Sequence, residues 1–270
     1  MKPPPFEYHA PTTLDEAVRL RADLGHESVF LAGGQSLVPM LNMRLARPSA
    51  LIDLNGVAGL SGIRRENGGI AVGAMTRQRR LELSDEAYEA CPLLREALVH
   101  VAHSIIRNRG TVGGSIAHAD PAAELPSVLV ALGGRVRATG PRGVREIPAA
   151  ELFEFHFTTT LAPDEVLTEV WFPALAPGSG YAFMEVSRRH GDYALAGVAC
   201  VVSGDGVRLA FTGVGPRPVL VESDDPDAAA AVAEPADDIH ATADYRRELV
   251  RVLARRVVAL ARERARRGDR

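Results

Sequence analysis

Two adjacent glycines near the N-terminus constrain the fold of this chain more than any other feature. Gly33-Gly34 follows a short apolar run, Ser28 to Leu31, and precedes a segment, Leu37 to Ala46, that predicts a helix. Adjacent glycines permit positive φ angles and leave the backbone bare, so their N–H groups can converge on an anion. Ser36 stands where a helix cap is expected, and a helix N-terminus favours negative charge. The pattern therefore predicts a strand, an anion-binding turn and a helix, a combination that suits a phosphate.

A second glycine pair repeats this pattern in the middle of the chain. Gly113-Gly114 lies in the run Asn108 to Ser115, which is followed by Ala119 to Glu124. One such pair is weak evidence because most are ordinary turns, and Gly133-Gly134, which lacks a capping residue, predicts only a chain reversal. Two anion-binding turns suit a ligand with two phosphates. The sequence has no G-x-G-x-x-G after a strand and no G-x-x-x-x-G-K, which argues against a Rossmann site and a P-loop.

Three motifs, taken in order, carry a resemblance to a known family. They are Ala32 to Ser36, Ile106 to Ser115 and Ser187 to Ala194. From Pro5 to Val221 the order and spacing resemble the FAD-binding subunit of the molybdenum hydroxylases, a family that includes the medium chain of carbon monoxide dehydrogenase and the flavin domain of xanthine dehydrogenase. The resemblance implies an α+β fold. Its parts are a two-subdomain FAD-binding domain of the vanillyl-alcohol oxidase (PCMH-like) type and a small domain of antiparallel sheet plus helices.

Prolines, glycines and the pattern of apolar residues predict the domain boundary and the regular elements. Two prolines and two glycines between positions 173 and 180 interrupt any helix or strand. We predict an FAD-binding domain over 1–175, with subdomains of about 1–55 and 56–175, and a C-terminal domain over 176–270. Helices are predicted over 14–24, 37–46, 76–103 with breaks near 84 and 92, 121–132, 226–233 and 242–267. Strands are predicted over 28–31, 51–54, 68–73, 135–138, 144–147, 166–172, 181–186, 193–202, 207–212 and 218–221.

The resemblance also implies which residues bind FAD. Both glycine pairs would hold the pyrophosphate with backbone N–H groups, including those of Gly113 and Gly114. Glu124 would accept hydrogen bonds from the ribose of the adenosine part, although a first-turn acid in a helix is its ordinary role. Leu167 and Tyr193 would lie near the isoalloxazine ring, although a strand leucine usually belongs to the core. The full predicted set is Leu31, Ala32, Gly33, Gly34, Gln35, Ser36, Leu37, Thr111, Val112, Gly113, Gly114, Ser115, Glu124, Leu167 and Tyr193.

One position departs from the family pattern. Related subunits often carry a lysine just after the phenylalanine that matches Phe183, whereas this chain has Met184-Glu185. A cation that could stabilise reduced flavin is therefore missing from this segment.

No catalytic or metal-binding set is predicted. His100 and His103 would share a helix face, but the sequence offers no third ligand, and packing is their more common role. His118, Asp120 and Glu124 could be drawn as a metal triad, which ranks below the flavin interpretation. A G-x-S-x-G elbow is absent from the sequence, so hydrolase chemistry has no support.

Charge, cysteine content and hydropathy limit the function classes. The net charge of −3 does not suggest a nucleic-acid partner, and the ten arginines from Arg246 to Arg270 are balanced by the acidic stretch Glu222 to Asp238. The two cysteines, Cys91 and Cys200, cannot hold an iron–sulfur cluster through four thiolates. No apolar run approaches the ~20 residues of a membrane span, and Met1 to Pro5 lacks a secretion signal, so we expect a cytoplasmic chain without an integral membrane segment.

By resemblance, the chain works in a complex. Electrons released from substrate at molybdenum would pass through [2Fe–2S] clusters to FAD in this chain and leave to an external acceptor. The implied partners are an iron–sulfur small subunit and a molybdopterin large subunit, arranged as a dimer of heterotrimers. A self-contained FAD oxidase is an alternative, although such enzymes usually need a larger substrate domain than the residues after Pro173 provide. A flavin-free assembly protein is another, against which the two intact glycine pairs argue.

Overall fold

A computed structural model describes residues 2–268 of the chain, and it has the predicted α+β character. The strands are β1 (Glu7–His9), β2 (Ser28–Leu31), β3 (Ala50–Asp53), β4 (Ile63–Glu66), β5 (Gly69–Gly73), β6 (Arg135–Gly140), β7 (Gly143–Pro148), β8 (Phe153–Phe155), β9 (Thr158–Thr159), β10 (Val166–Pro173), β11 (Gly180–Ser187), β12 (Ala194–Ser203), β13 (Gly206–Thr212) and β14 (Val219–Val221). The helices are α1 (Leu14–Leu24), α2 (Leu37–Asn42), α3 (Gln78–Glu82), α4 (Asp85–Ala90), α5 (Leu93–Leu98), α6 (Ser104–Arg107), α7 (Val112–His118), α8 (Glu124–Leu132), α9 (Ala149–Leu152), α10 (Pro226–Ala231) and α11 (Ala243–Arg267).

The N-terminal part is a small parallel sheet in the order β1-β3-β2. Helix α1 crosses from β1 to β2. Thr13 caps it by accepting a hydrogen bond from the N–H of Glu16 (3.2 Å), and its buried Ala17 packs with Ile52 of β3. In the parallel ladder Leu31 is level with Asp53, so β2 and β3 end at the same edge. The segments that follow these two strands therefore emerge side by side.

The middle of the chain builds a five-stranded antiparallel sheet in the order β4-β5-β10-β6-β7. Helices α7 and α8 cover one face of it, and α5 packs on α8. The fully buried side chains of Val170, Phe172 and Leu129 belong to the core between the sheet and these helices. Strand β5 ends at Gly73, and the residues after it lead directly into α3. Helix α7 therefore packs on this sheet, against β5 and β10.

The C-terminal part is a four-stranded antiparallel meander, β11 to β14, with α11 packed on one face. Cys200 and Val257 are buried in the core between the sheet and α11. Alternation along the strands sends Phe183 and Ala199 to the opposite face, where they join the core of the five-stranded sheet. The meander thus packs against α5 and α8 on the side away from α11. The domain boundary at position 175 remains a prediction.

Several predicted elements are confirmed and others need correction. Helix 14–24 and strand 28–31 are found at the predicted residues, and the helix over 243–267 departs by one residue. The helix predicted over 37–46 ends at Asn42, and the Ser36 side chain makes no capping hydrogen bond. The turn expected at Gly113-Gly114 is the first turn of α7, capped by Thr111. Strands β1, β4, β8 and β9 were not predicted as strands because none is longer than four residues, too short to show a clear alternation of apolar and polar residues.

The described helices were also compared with the requirements of a membrane span. None of the helices within residues 2–268 combines the length and the apolar character that a bilayer crossing needs.

Candidate functional site

The first glycine pair lies in a loop of residues 32–36, here called the first loop, at the carboxyl edge of β2. Gly34 has a φ of +73°, and its carbonyl accepts a hydrogen bond from the N–H of Val38 (3.0 Å) as α2 begins. Within residues 2–268, the N–H groups of Gly33, Gly34, Gln35 and Ser36 donate to no protein acceptor. The Gln35 amide folds back and donates from Nε2 to the Gly33 carbonyl (3.0 Å). A row of open donors at a helix N-terminus is suited to an anion.

The second glycine pair behaves differently from the sequence-based expectation. The N–H of Gly113 donates to the carbonyl of Ala74 (2.8 Å), and that of Gly114 donates to Oγ1 of Thr111 (3.1 Å). These donors are therefore used inside the chain. A Cβ at position 113 would lie 2.4 Å from Cβ of Ala74, which means that Gly113 allows the start of α7 to approach the end of β5.

The two glycine segments meet in space. A Cβ on Gly33 would lie only 2.4 Å from the carbonyl oxygen of Arg109 and 2.9 Å from Cα of Gly110. A Cβ on Gly114 would lie 3.3 Å from Cβ of Ala32. The segment 108–111, here called the second loop, therefore forms a wall against which the first loop rests, and bare backbone is required at the contact.

A polar network that sequence reasoning missed ties the two loops together. Nδ2 of Asn55 donates to the carbonyl of Ala32 (2.9 Å), while Arg77 donates from Nη2 to Oδ1 of Asn55 (2.6 Å) and from Nη1 to the carbonyl of Arg109 (2.5 Å). Burial, followed by the charge of Arg109, lowers the pKa of Arg77. Asn55 follows β3, the parallel neighbour of β2, and polar residues after adjacent parallel strands are the signal that could have found it.

Glu124 is buried at the start of α8, where its residue is 7% exposed. Burial, with a smaller contribution from the charge of Glu185, raises the pKa of Glu124 to about 8. The Glu185 side chain on β11 is 3% exposed; its Oε1 lies 3.5 Å from Nδ1 of His100, and its Oε2 has no hydrogen-bond partner in the described chain. Burial raises the pKa of Glu185 to about 7. The region where α5 and α8 pack against the meander thus holds two carboxyl groups that resist ionisation near neutral pH.

Leu167 and Tyr193 occupy contrasting environments. Leu167 is buried in β10, and the carbonyl of the next residue, Thr168, accepts a hydrogen bond from the N–H of Ala74 (2.9 Å). Because Ala74 also binds Gly113, Leu167 lies close to the start of α7. Tyr193 is 65% exposed immediately before β12. The structure therefore brings Leu167 to the second glycine pair. Tyr193, although largely exposed, lies near Glu124: burial, followed by the charges of Asp120 and Glu124, raises the pKa of Tyr193.

The histidine pair suggested by the sequence is not on one helix face. His100 lies in the turn after α5, whereas His103 directly precedes α6. His103 packs instead against Gly191, where a Cβ would lie 2.7 Å from the imidazole. In the part of the chain that the structure describes, no three His, Cys, Asp or Glu side chains are arranged to hold a metal ion.

The buried carboxyl groups predict how stability depends on pH. Both folded-state pKa values lie above the ordinary value of 4.5, so between about pH 4.5 and 8 the folded chain binds more protons than the unfolded chain. Their contribution to stability is therefore complete at low pH and is lost as the pH rises through 7 to 8. We expect Glu185→Gln to reduce the fall in Tm between pH 5.5 and 8 by a few degrees, measured by thermal unfolding of the apoprotein.

Glu154 provides the control for this prediction, since it is an exposed carboxyl group on β8. Glu154→Gln should leave the pH dependence of Tm unchanged. Identical pH profiles for the wild type and Glu185→Gln would contradict the assignment of a buried, neutral Glu185.

Known protein families and proteins resemble this chain in sequence. Residues 4–175 match the family model described as the FAD binding domain in molybdopterin dehydrogenase. The chain is 43% identical to subunit alpha of the 6-hydroxypseudooxynicotine dehydrogenase complex of Paenarthrobacter nicotinovorans, over 98% of this chain and 97% of that one. It is 38% identical to the carbon monoxide dehydrogenase medium chain of Hydrogenophaga pseudoflava, over 97% of this chain and 98% of that one.

A solved structure extends the comparison to three dimensions. Carbon monoxide dehydrogenase from Hydrogenophaga pseudoflava, in a form lacking the Mo-pyranopterin moiety of the molybdenum cofactor, contains a chain that superimposes with a TM-score of 0.94 at 38% identity. The match covers 98% of this chain and 99% of that chain. The same architecture, the open first loop and the matched sequence together lead to one conclusion: this chain belongs to the family of FAD-binding subunits of molybdenum hydroxylases, the family of the carbon monoxide dehydrogenase medium chain.

Proposed function

We propose that this chain binds one FAD molecule and passes electrons through it as a subunit of a molybdenum hydroxylase complex. The observation that carries the proposal is the row of four open N–H groups in the first loop, held against the second loop by Gly33. Donors that point at a ligand and need no rearrangement are what a pyrophosphate requires. The family match supplies the identity of the nucleotide.

The residues that are present fit FAD, although the second glycine pair has a different role from the one that the sequence predicts. The pyrophosphate would take the N–H groups of the first loop, whereas Gly113 and Gly114 would serve by letting α7 pack closely. Glu124 would face the adenosine ribose, and Leu167 and Tyr193 would border the isoalloxazine ring. The proposed contact set remains Leu31, Ala32, Gly33, Gly34, Gln35, Ser36, Leu37, Thr111, Val112, Gly113, Gly114, Ser115, Glu124, Leu167 and Tyr193.

Bound FAD would supply the redox chemistry, and this chain would bind, orient and shield it. The related proteins are named as a subunit of a dehydrogenase complex and as a medium chain, which supports partner subunits that deliver electrons to the flavin in this chain. We propose an iron–sulfur small subunit and a molybdopterin large subunit as those partners, in a dimer of heterotrimers located in the cytoplasm. Coverage of nearly the full length of both relatives favours this subunit role over a self-contained oxidase.

Ligand competition tests where the cofactor is anchored. If the first loop holds the pyrophosphate, ADP should compete with FAD for the apoprotein, whereas riboflavin, which has no phosphate, should not. The measurement is the quenching of FAD fluorescence on titration with apoprotein, repeated with each competitor. Competition by riboflavin alone would place the main anchor at the ring end and would contradict a pyrophosphate site in the first loop.

A further inference from the structure

A buried ion pair lies behind the second loop, outside the proposed contact set. Arg107 and Glu82 are each 6% exposed. Arg107 donates from Nε to Oε2 of Glu82 (2.8 Å) and from Nη2 to Oε1 (3.2 Å), a two-point contact that fixes the relative orientation of both side chains. Glu82 also pairs with Arg79 (2.7 Å), so its carboxylate is held from two sides.

Both ends of helix α3 contact the second loop or the residue just before it. At its C-terminal end, Glu82 holds Arg107. At its N-terminal end, Gln78 donates its backbone N–H to the carbonyl of Gly110 (2.9 Å), and Arg77, the residue before the helix, donates to the carbonyl of Arg109. Residues 107–110 are therefore held by contacts with one short helix. The Arg109 carbonyl oxygen is also the atom that Gly33 approaches most closely.

The same arginine also organises the chain that precedes the second loop. Nη1 of Arg107 donates to the carbonyls of Val101 (2.7 Å) and Ala102 (3.1 Å). Ala102 has a φ of +44°, a conformation that is costly for a residue with a side chain and persists where surrounding contacts hold it. One guanidinium thus fixes the turn at 101–102 and, through Glu82, the end of α6 from which the second loop continues.

We propose that Arg107, through its pair with Glu82, is a positioning residue for FAD: it sets the place of the second loop and, through Gly33, the direction of the open N–H groups in the first loop. The inference rests on the proposed function, and it concerns two residues that need not touch the cofactor. A shift of a few tenths of an ångström in the second loop would move the N–H donors of the first loop, because Gly33 is in close contact with the Arg109 carbonyl.

The test compares FAD dissociation constants and Tm values of wild type, Arg107→Met, Glu82→Gln and the double variant. Each single change should weaken FAD binding by about tenfold or more, which corresponds to the loss of one good hydrogen bond. Glu82→Gln is the most informative change. Removal of a negative charge by itself would strengthen the binding of an anionic ligand, so weaker FAD binding would have to come from lost positioning. Arg107→Lys keeps the charge but loses the two-point geometry, and it should give an intermediate loss.

The double variant separates positioning from stability. Removing both charges relieves the cost of leaving one of them buried and alone, so Tm should recover towards the wild-type value. The FAD affinity should not recover, because the clamp is still broken. As a control with the same two-point geometry at an exposed site, Arg145→Met removes the contact between Arg145 on the edge strand β7 and Glu165, which precedes β10. This change should leave FAD affinity within about twofold of wild type.

Three outcomes are decisive. Wild type that fails to bind FAD would overturn the proposed function itself. Wild type that binds FAD while Glu82→Gln binds as tightly, or more tightly, would overturn the positioning role alone. Recovery of both Tm and FAD affinity in the double variant would also overturn it, since the pair would then act only on stability. If Arg107→Met does not fold, Glu82→Gln and Arg107→Lys give the same decision.

Discussion

Gly33→Ala is expected to lower FAD affinity by about 100-fold or more. A single methyl group at this position would lie 2.4 Å from the Arg109 carbonyl oxygen and 2.9 Å from Cα of Gly110. Both neighbours are backbone atoms and cannot rotate away, so the two loops must separate. Two or more hydrogen bonds to a charged pyrophosphate would be lost or bent, and each contributes about 1.5–3 kcal/mol. Fluorescence titration with FAD measures the effect directly.

Gly204→Ala is the control for this change. Gly204 lies in the turn between β12 and β13, and a Cβ there would meet nothing within 4 Å. We expect unchanged FAD affinity and an unchanged Tm. Gly134 would be a poor control although it is also part of a glycine pair, because a Cβ there would lie 2.6 Å from the Trp171 carbonyl oxygen and would disturb the fold. Equal FAD affinity in folded Gly33→Ala and wild type would contradict the proposed site.

The parts of the fold that follow from local rules were accessible from the sequence. Thr13 ahead of an amphipathic stretch predicts α1, and the apolar run before Gly33 predicts β2; both are found at the predicted residues. Prolines and glycines between positions 173 and 180 predict an interruption of regular structure, and the first strand of the meander begins at Gly180. In these cases capping, periodicity and turn chemistry act over a few residues, so sequence neighbours carry the information.

The atoms that shape the candidate site depend on contacts between distant segments. The N–H groups of Gly113 and Gly114 were predicted to face the ligand, but Ala74 and Thr111 accept them. Asn55 and Arg77 were not singled out at all. Each bridges segments that are more than twenty residues apart in the chain, and such pairings are decided by how β5, α3 and α7 pack. The glycine motifs therefore predict where open backbone donors and close backbone packing occur, but not which glycine has which role.

Expressed without partners, the chain is expected to bind FAD noncovalently and to catalyse no substrate-dependent turnover. Its two cysteines are free and buried, one in each of the two larger cores, so they cannot share the ligation of a [2Fe–2S] cluster. The preparation should contain neither iron nor molybdenum. It should reduce no dye when offered aldehydes, purines or carbon monoxide. Metal analysis and dye-reduction assays of the lone chain, with FAD release on acid precipitation, measure all three properties.

The most direct test of the subunit role is whether substrate reduces the FAD in this chain only when the partners are present. The chain is mixed anaerobically with a candidate substrate, first alone and then in complex with the iron–sulfur and molybdopterin subunits, and the visible absorbance of oxidised flavin is followed. We expect bleaching in the complex, no bleaching in the lone chain, and a smaller flavin signal to bleach in a complex built with Gly33→Ala. Substrate-dependent bleaching by the lone, metal-free chain would contradict the account and would favour a self-contained oxidase.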